Sequence, residues 1–140
     1  MILLDTNVIS ELMRAAPDDA VGNWLTHLGD IPLATTAITV SEIAYGLERL
    51  ADGKRKRDLW EKFETFIGDG GGLTIFPFDE EAALICGQFR VVRENTGQHA
   101  HASDMMIAGI AGALGASLAT RNVKDFSGLP IQIIDPWAVS

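Results

Sequence analysis

The sequence predicts an α/β fold, a three-layer α/β/α domain around a central, mostly parallel five-stranded sheet. Three observations carry this reading. Five short apolar runs alternate with stretches of helical periodicity, and no hairpin signal joins one run to the next. The first run, Ile2-Leu3-Leu4, is apolar at every position rather than at every second one, as in a strand covered on both faces. It ends abruptly on Asp5, which places an acid at the carboxyl end of a buried strand, where open parallel sheets keep their functional crevice.

A helix follows over Val8 to Met13. Pro17-Asp18-Asp19 breaks it and opens a second, with Val21, Trp24, Leu25 and Leu28 on one face and Gly29-Asp30 at its close. Ile31 to Thr36 is the second strand, Pro32 being tolerable near its start. Thr39-Val40-Ser41-Glu42 has the capping-box pattern and predicts a helix through Leu50, ended by Gly53. From Lys54 onward Leu59, Trp60, Phe63, Phe66 and Ile67 form a core stripe, stopped by Gly68 and Gly70-Gly71-Gly72. Leu73 to Phe76 is the third strand. Asp79 caps the next helix, whose inner face is expected to carry Ala83, Leu84, Cys86 or Gly87, and Val91. Thr96 to Ala102 is a polar loop, and its His99 and His101 are read as loop residues rather than metal ligands. Asp104 opens a helix of small residues, Met105 to Gly115, whose Gly109 and Gly112 suit close packing against a sheet. Ser117 to Thr120 and Ile131 to Ile134 complete the strands, with Asn122-Val123-Lys124-Asp125-Phe126 a tight connection between them.

A chain of 140 residues suits one domain over 1–140, with no internal repeat and no linker. The single cysteine, Cys86, cannot form an internal disulfide and lies in the apolar context of an inert core thiol. No basic-then-apolar leader opens the sequence, and no run approaches the roughly 18 to 20 apolar residues of a membrane span. A cytoplasmic protein without membrane contact is therefore expected. A net charge of −8 argues against holding nucleic acid mainly by sequence-independent phosphate neutralisation. It leaves room for an enzyme that grips phosphate through divalent cations, because such a site is built from carboxylates. Lys54 to Arg57 hold four of the eleven basic residues and read first as a solvated helix start, second as a phosphate patch.

Asp5 follows the first strand and Asp125 lies in the turn after the fourth, while Glu42 and Asp104 open helices that connect strands. Four acids from distant positions can thus meet at one edge of the sheet. Two carboxylates about 4 Å apart repel by roughly 4 kcal/mol at an effective dielectric near 20, a cost that a hard divalent cation removes. Mg²⁺ takes oxygen ligands, keeps several waters, and needs no cysteine or histidine. Each acid also has a duller use. Glu42 fits a capping box with Thr39, worth about 1 kcal/mol; Asp104 complements a helix dipole; Asp125 caps a turn. Asp5 is the exception, since Thr6 could perform any capping duty there.

Leu4-Asp5-Thr6-Asn7-Val8-Ile9-Ser10-Glu11, Thr39-Val40-Ser41-Glu42-Ile43-Ala44-Tyr45-Gly46, Ser103-Asp104-Met105-Met106-Ile107-Ala108 and Ala119-Thr120-Arg121-Asn122-Val123-Lys124-Asp125-Phe126 resemble the four signature blocks of PIN-domain proteins. The likeness is closest to the VapC/FitB-type toxins of bacterial toxin–antitoxin pairs, and it covers nearly the whole chain, including Pro136-Trp137. It implies a PIN-like fold and a metal-dependent endoribonuclease that hydrolyses RNA phosphodiester bonds with a metal-activated water. Asp5, Glu42 and Asp104 match the family's first three acidic positions. Asp5 and Asp104 would be the principal Mg²⁺ or Mn²⁺ ligands, Glu42 would bind metal or orient the water, and Thr6 and Thr120 fit the hydroxyl positions that order the site. One departure stands out: many relatives carry an acid directly after Thr-Arg, where this chain has Asn122. Asn122 offers a carbonyl oxygen or holds a water without adding charge, so Asp125 becomes the candidate for the fourth acid. The resemblance further implies a homodimer and a cognate antitoxin that blocks the site with one segment and binds operator DNA with another. An acidic chain that leaves DNA to its partner fits that division.

Two other classes compete. One is a catalytically weak PIN scaffold, poor in metal because of Asn122, acting as a protein-binding module within an antitoxin/DNA complex. The other is an aspartyl-phosphate protein. A phosphatase of that class expects an acid where Asn7 stands, and a receiver expects a lysine where Asp135-Pro136-Trp137 stands.

Overall fold

Ile2–Leu4 form β1, and the structure explains why all three residues are apolar: Ile2 and Leu4 join the core on one face of the sheet and Leu3 joins the core on the other. The computed structural model describes residues 1–68 and 72–138, so Gly70 and Gly71 of the glycine run lie outside the described residues. The remaining elements are α1 (Thr6–Leu12), α2 (Asp19–His27), β2 (Leu33–Thr36), α3 (Ala37–Glu48), α4 (Lys54–Ile67), β3 (Thr74–Phe76), α5 (Glu80–Asn95), α6 (Ala102–Leu114), β4 (Ser117–Ala119), a 3-10 turn over Val123–Phe126, and β5 (Ile133–Ile134). Every described strand pair is parallel and the order is β3-β2-β1-β4-β5. The chain therefore steps outward from β1 to one side, then crosses back to build the other side. The reversal between β1 and β4 is the switch point at which parallel sheets open a crevice beyond their carboxyl ends. Asp5 and Thr120 leave those two strands side by side, with the Asp5 amide donating to the Ala119 carbonyl at 2.9 Å.

Two apolar cores sandwich the sheet. Val8, Ile9, Trp24, Ile43, Leu47 and Phe63 pack with Ile2, Leu4 and Ala119 on one face. Cys86, Phe89, Met105, Ile107 and Ile110 pack with Leu3, Ala34 and Leu118 on the other. This is the three-layer arrangement expected from the periodicity. Among the described residues no helix is long and apolar enough to cross a membrane.

Three local expectations need correction. Helix α3 starts at Ala37 and its N-cap is Thr36, whose hydroxyl accepts from the Thr39 amide at 3.1 Å. Thr39 is thus inside the first turn, and Glu42 stands beyond any capping position. The overlapping patterns Thr36-x-x-Thr39 and Thr39-x-x-Glu42 compete for the helix start, and the buried Thr36 wins because it ends β2 directly. Helix α5 buries Ala82, Cys86, Phe89 and Arg93, whereas Ala83, Leu84 and Val91 face outward. The inner stripe runs one residue earlier than its largest apolar side chains suggest. Third, Gly109 and Gly112 lie against α5 rather than the sheet: a Cβ on Gly109 would fall 2.4 Å from the Ala82 carbonyl oxygen, and one on Gly112 would fall 3.0 Å from Ile85 and Phe89. Gly115, with φ of 64°, ends α6 in the left-handed conformation that a side chain disfavours. Cys86 is buried, and burial pushes its thiol pKa up, as expected of an inert core thiol.

In the basic run, Lys54, Arg55 and Arg57 are exposed, while Lys56 is largely covered and pairs with Asp52 at 3.3 Å and Glu48 at 3.6 Å. Lys56 therefore joins the first turn of α4 to the segment that precedes it.

Candidate active site

Asp5 is only 4 % exposed and, contrary to the expectation that Thr6 would do any capping there, is itself the N-cap of α1, which starts at Thr6. It lies there because β1 is central and the chain turns straight from strand into helix. One carboxylate oxygen accepts from the Thr6 amide at 2.8 Å; the other accepts from the Thr120 hydroxyl at 2.8 Å and from the Asn7 amide at 3.5 Å. Burial raises its pKa above the usual carboxylate value, these hydrogen bonds oppose the rise, and repulsion from Asp125 adds to it.

Glu42 reaches this place from the second turn of α3. The Thr6 hydroxyl donates to its carboxylate at 3.0 Å. The residue is exposed as a whole, but partial burial of its acid group raises the pKa, with the Thr6 hydrogen bond lowering it and Asp5 raising it. Asp104 lies in the first turn of α6. Its carboxyl is pushed up to about 6, chiefly by burial and then by the charges of Asp5, Asp125 and Glu42, against a lowering influence from Arg93. Asp125, half-buried in the 3-10 turn, is thus near enough to act on both Asp5 and Asp104.

Asp104 is within electrostatic reach of the other three acids marked in the sequence, and Asp5 is within reach of Glu42 and Asp125 as well. The three orienting residues also gather there. Thr6 serves Glu42, Thr120 serves Asp5, and the backbone amide of Asn122 donates to the Thr120 hydroxyl at 3.1 Å. Among the described residues the Asn122 side chain makes no hydrogen bond, so its contribution is through its backbone.

Two residues of this neighbourhood escaped the sequence reading. Asn7 bridges the two central strand ends: its amide nitrogen lies 3.4 Å from the Thr120 hydroxyl and its carbonyl oxygen accepts from the Arg121 amide at 3.0 Å. Arg93 is 3 % exposed and donates to backbone carbonyls of two separate segments. Its place on the Ala82, Cys86, Phe89, Arg93 period was the available signal.

The donor set is that of a hard cation: carboxylate, hydroxyl and amide oxygens, with neither cysteine nor histidine among them. Burial is the first cause of each raised carboxyl pKa and neighbouring acids add to it, so the ionised groups would gain from a divalent counter-charge. Among the described residues no three acidic, histidine or cysteine side chains stand close enough to ligate an ion together. Mg²⁺ is commonly held by one or two carboxylates and otherwise by water and substrate phosphate, so it does not require a cage of three protein ligands.

The elevated Asp104 pKa has a thermodynamic signature. A carboxyl that titrates at about 6 when folded and near 3.8 when unfolded binds its proton more tightly in the folded chain. It therefore favours folding below about pH 4, and this contribution is lost as pH rises through about 6. In chelator, Asp104→Asn is expected to melt at the same temperature as the parent near pH 4 and increasingly above it up to about pH 6.5. Thermal melts across that range check the sign; an advantage that shrinks as pH rises contradicts it.

The family described as PIN domain matches residues 2–130. Toxin FitB of Neisseria gonorrhoeae is 38% identical over 137 residues, covering 98% of this chain and 99% of the relative. VapC ribonuclease Y4jK of Sinorhizobium fredii is 35% identical over 137 residues, 98% of each chain. Among solved structures, FitAB bound to an IR36 DNA fragment contains a chain that superposes with a TM-score of 0.88 at 37% identity, over 100% of this chain and 98% of that one.

Proposed function

The chain belongs to the PIN-domain family, and on that premise we propose that it is a divalent-metal-dependent endoribonuclease, the toxin of a toxin–antitoxin pair. The observation that carries this reading is the convergence of residues from distant segments: Thr6 holds Glu42, Thr120 holds Asp5, and the carboxyl of Asp104 is raised first by burial and then by the nearby Asp5, Asp125 and Glu42. So costly a gathering of like charge serves a cation better than it serves stability.

Asp5 and Asp104 would hold Mg²⁺ or Mn²⁺, with Asp125 contributing charge from the turn after β4. When bound, such an ion stabilises negative charge on a phosphodiester and lowers the pKa of an attacking water. The protein's own part is positional. Thr120 and Thr6 fix the Asp5 carboxylate from both sides, so it meets its ligand without rearranging. Thr6 also presents Glu42, whose raised pKa suits it to take the proton of an attacking water at its carboxylate. Asp104, titrating at about 6, is ionised at neutral pH and available as a ligand.

Ribonuclease naming among the relatives supports RNA as the substrate, and the likeness to FitAB on DNA supports a cognate antitoxin that carries operator binding. A homodimer is proposed from the family resemblance. The direct test is cleavage of mixed RNA by purified, antitoxin-free protein. Activity is expected with Mg²⁺ or Mn²⁺ and its loss in excess chelator; cleavage that persists in chelator refutes the mechanism.

A further inference from the structure

Arg93 is a buried cation with an unusual set of partners. Its Nε donates to the His99 carbonyl at 2.8 Å, and its Nη1 donates to the Ser127 carbonyl at 2.8 Å, the Lys124 carbonyl at 3.2 Å and the Ser127 hydroxyl at 3.4 Å. Among the described residues no carboxylate lies within ion-pair distance of it. Burying a guanidinium without a paired anion costs several kcal/mol, so carbonyl dipoles alone are a poor reason to keep it there. What it joins gives a better one. His99 belongs to the loop that leads into α6 and Asp104, while Lys124 and Ser127 flank Asp125 in the turn after β4. A rigid fork of donors is suited to hold several acceptors at once, which a flexible ammonium is not. Gln98 adds a second tie between the same two segments, its amide donating to the Ser127 hydroxyl at 3.0 Å.

We infer that Arg93 is a positioning residue of the acidic site: by clamping the turn that carries Asp125 to the loop that leads to Asp104, it sets the separation of those two acids. The inference rests on the metal-site reading of these acids and adds a residue that touches neither metal nor substrate. The lowering influence of Arg93 on the Asp104 carboxyl agrees with its closeness to the site.

The test measures Mn²⁺ binding by calorimetry on the full chain, without RNA. Arg93→Gln is expected to weaken Mn²⁺ binding about 10- to 100-fold, the range for partners that orient a metal ligand, and Arg93→Lys to fall between Gln and the parent. In an Asp125→Asn background the further loss from Arg93→Gln should shrink to about twofold or less, because the clamped turn no longer delivers a charge. Phe63→Leu, in the core on the opposite face of the sheet, should lower the melting temperature without changing Mn²⁺ affinity. The inference is overturned if folded Arg93→Gln binds Mn²⁺ like the parent, if its effect is undiminished beside Asp125→Asn, or if Phe63→Leu weakens binding as much. Should Arg93→Gln fail to fold, Arg93→Lys is judged by the same criteria. A parent that binds Mn²⁺ but cuts no RNA defeats the ribonuclease reading alone, a parent that cuts RNA while Arg93→Gln binds normally defeats this inference alone, and a parent that binds no Mn²⁺ defeats both.

Discussion

Asp5→Asn is expected to reduce RNA cleavage by on the order of 100-fold or more while leaving the fold intact, the scale of loss seen when one preorganised electrostatic group is removed from an active site. The substitution preserves volume and keeps an oxygen for the Thr6 amide, so the α1 cap survives. The Thr120 hydroxyl, which donates to the carboxylate at 2.8 Å, can rotate to accept from the new amide. The charge is lost, and with it the weak 3.5 Å hydrogen bond from the Asn7 amide, which an amide nitrogen cannot accept. Because burial and Asp125 already disfavour that charge in the metal-free chain, melting temperature in chelator should hold or rise. Undiminished cleavage by a folded Asp5→Asn protein would remove Asp5 from the reaction; a large drop in melting temperature would show that its role is structural instead.

The largest effect on stability should come from Gly109→Ala. A methyl there would meet the Ala82 carbonyl oxygen at 2.4 Å and Cys86 at 3.0 Å, both on α5, and a backbone oxygen cannot swing aside. Helices α5 and α6 would have to separate, at about 2–3 kcal/mol, which for a chain of this size corresponds to roughly 6–12 °C in melting temperature. Gly87→Ala is the control. It lies in α5, has nothing within 4 Å of an added Cβ, and should stabilise by roughly 0.5–1 kcal/mol through helix propensity. If both substitutions act alike, close approach is not what makes Gly109 necessary.

Asp5, Thr6, Asp104 and Thr120 were legible because each sits where a strand ends or a helix begins, and those boundaries are written in apolar runs and turn residues. Asp5 after Ile2-Leu3-Leu4 is the plainest instance. Glu42 was harder to read, since its capping pattern offered a structural use that Thr36 in fact fulfils. With that duty gone, its hydrogen bond from Thr6 across 36 residues of sequence is its visible role. Arg93 was hidden for a different reason. Long cationic side chains on helices usually reach solvent, and nothing local announces that carbonyls from the following loop and from a turn more than 30 residues on will surround one. The facing partners of Gly109 and Gly112 were equally out of reach, because small residues report that something comes near without saying what.

The placement of β1 at the middle of the sheet bears on how the protein is made. Its flanking strand β4 begins at Ser117, and the hydroxyl that secures Asp5 is 115 residues further along. At a translation speed of roughly 5–20 residues per second, the ribosome spends on the order of 6–23 s between the two. Throughout that interval the nascent polypeptide owns its first acid but has no second wall to set it in. A chain cut short before Thr120 therefore lacks the hydroxyl that fixes the Asp5 carboxylate, so its first acid stays unanchored on that side.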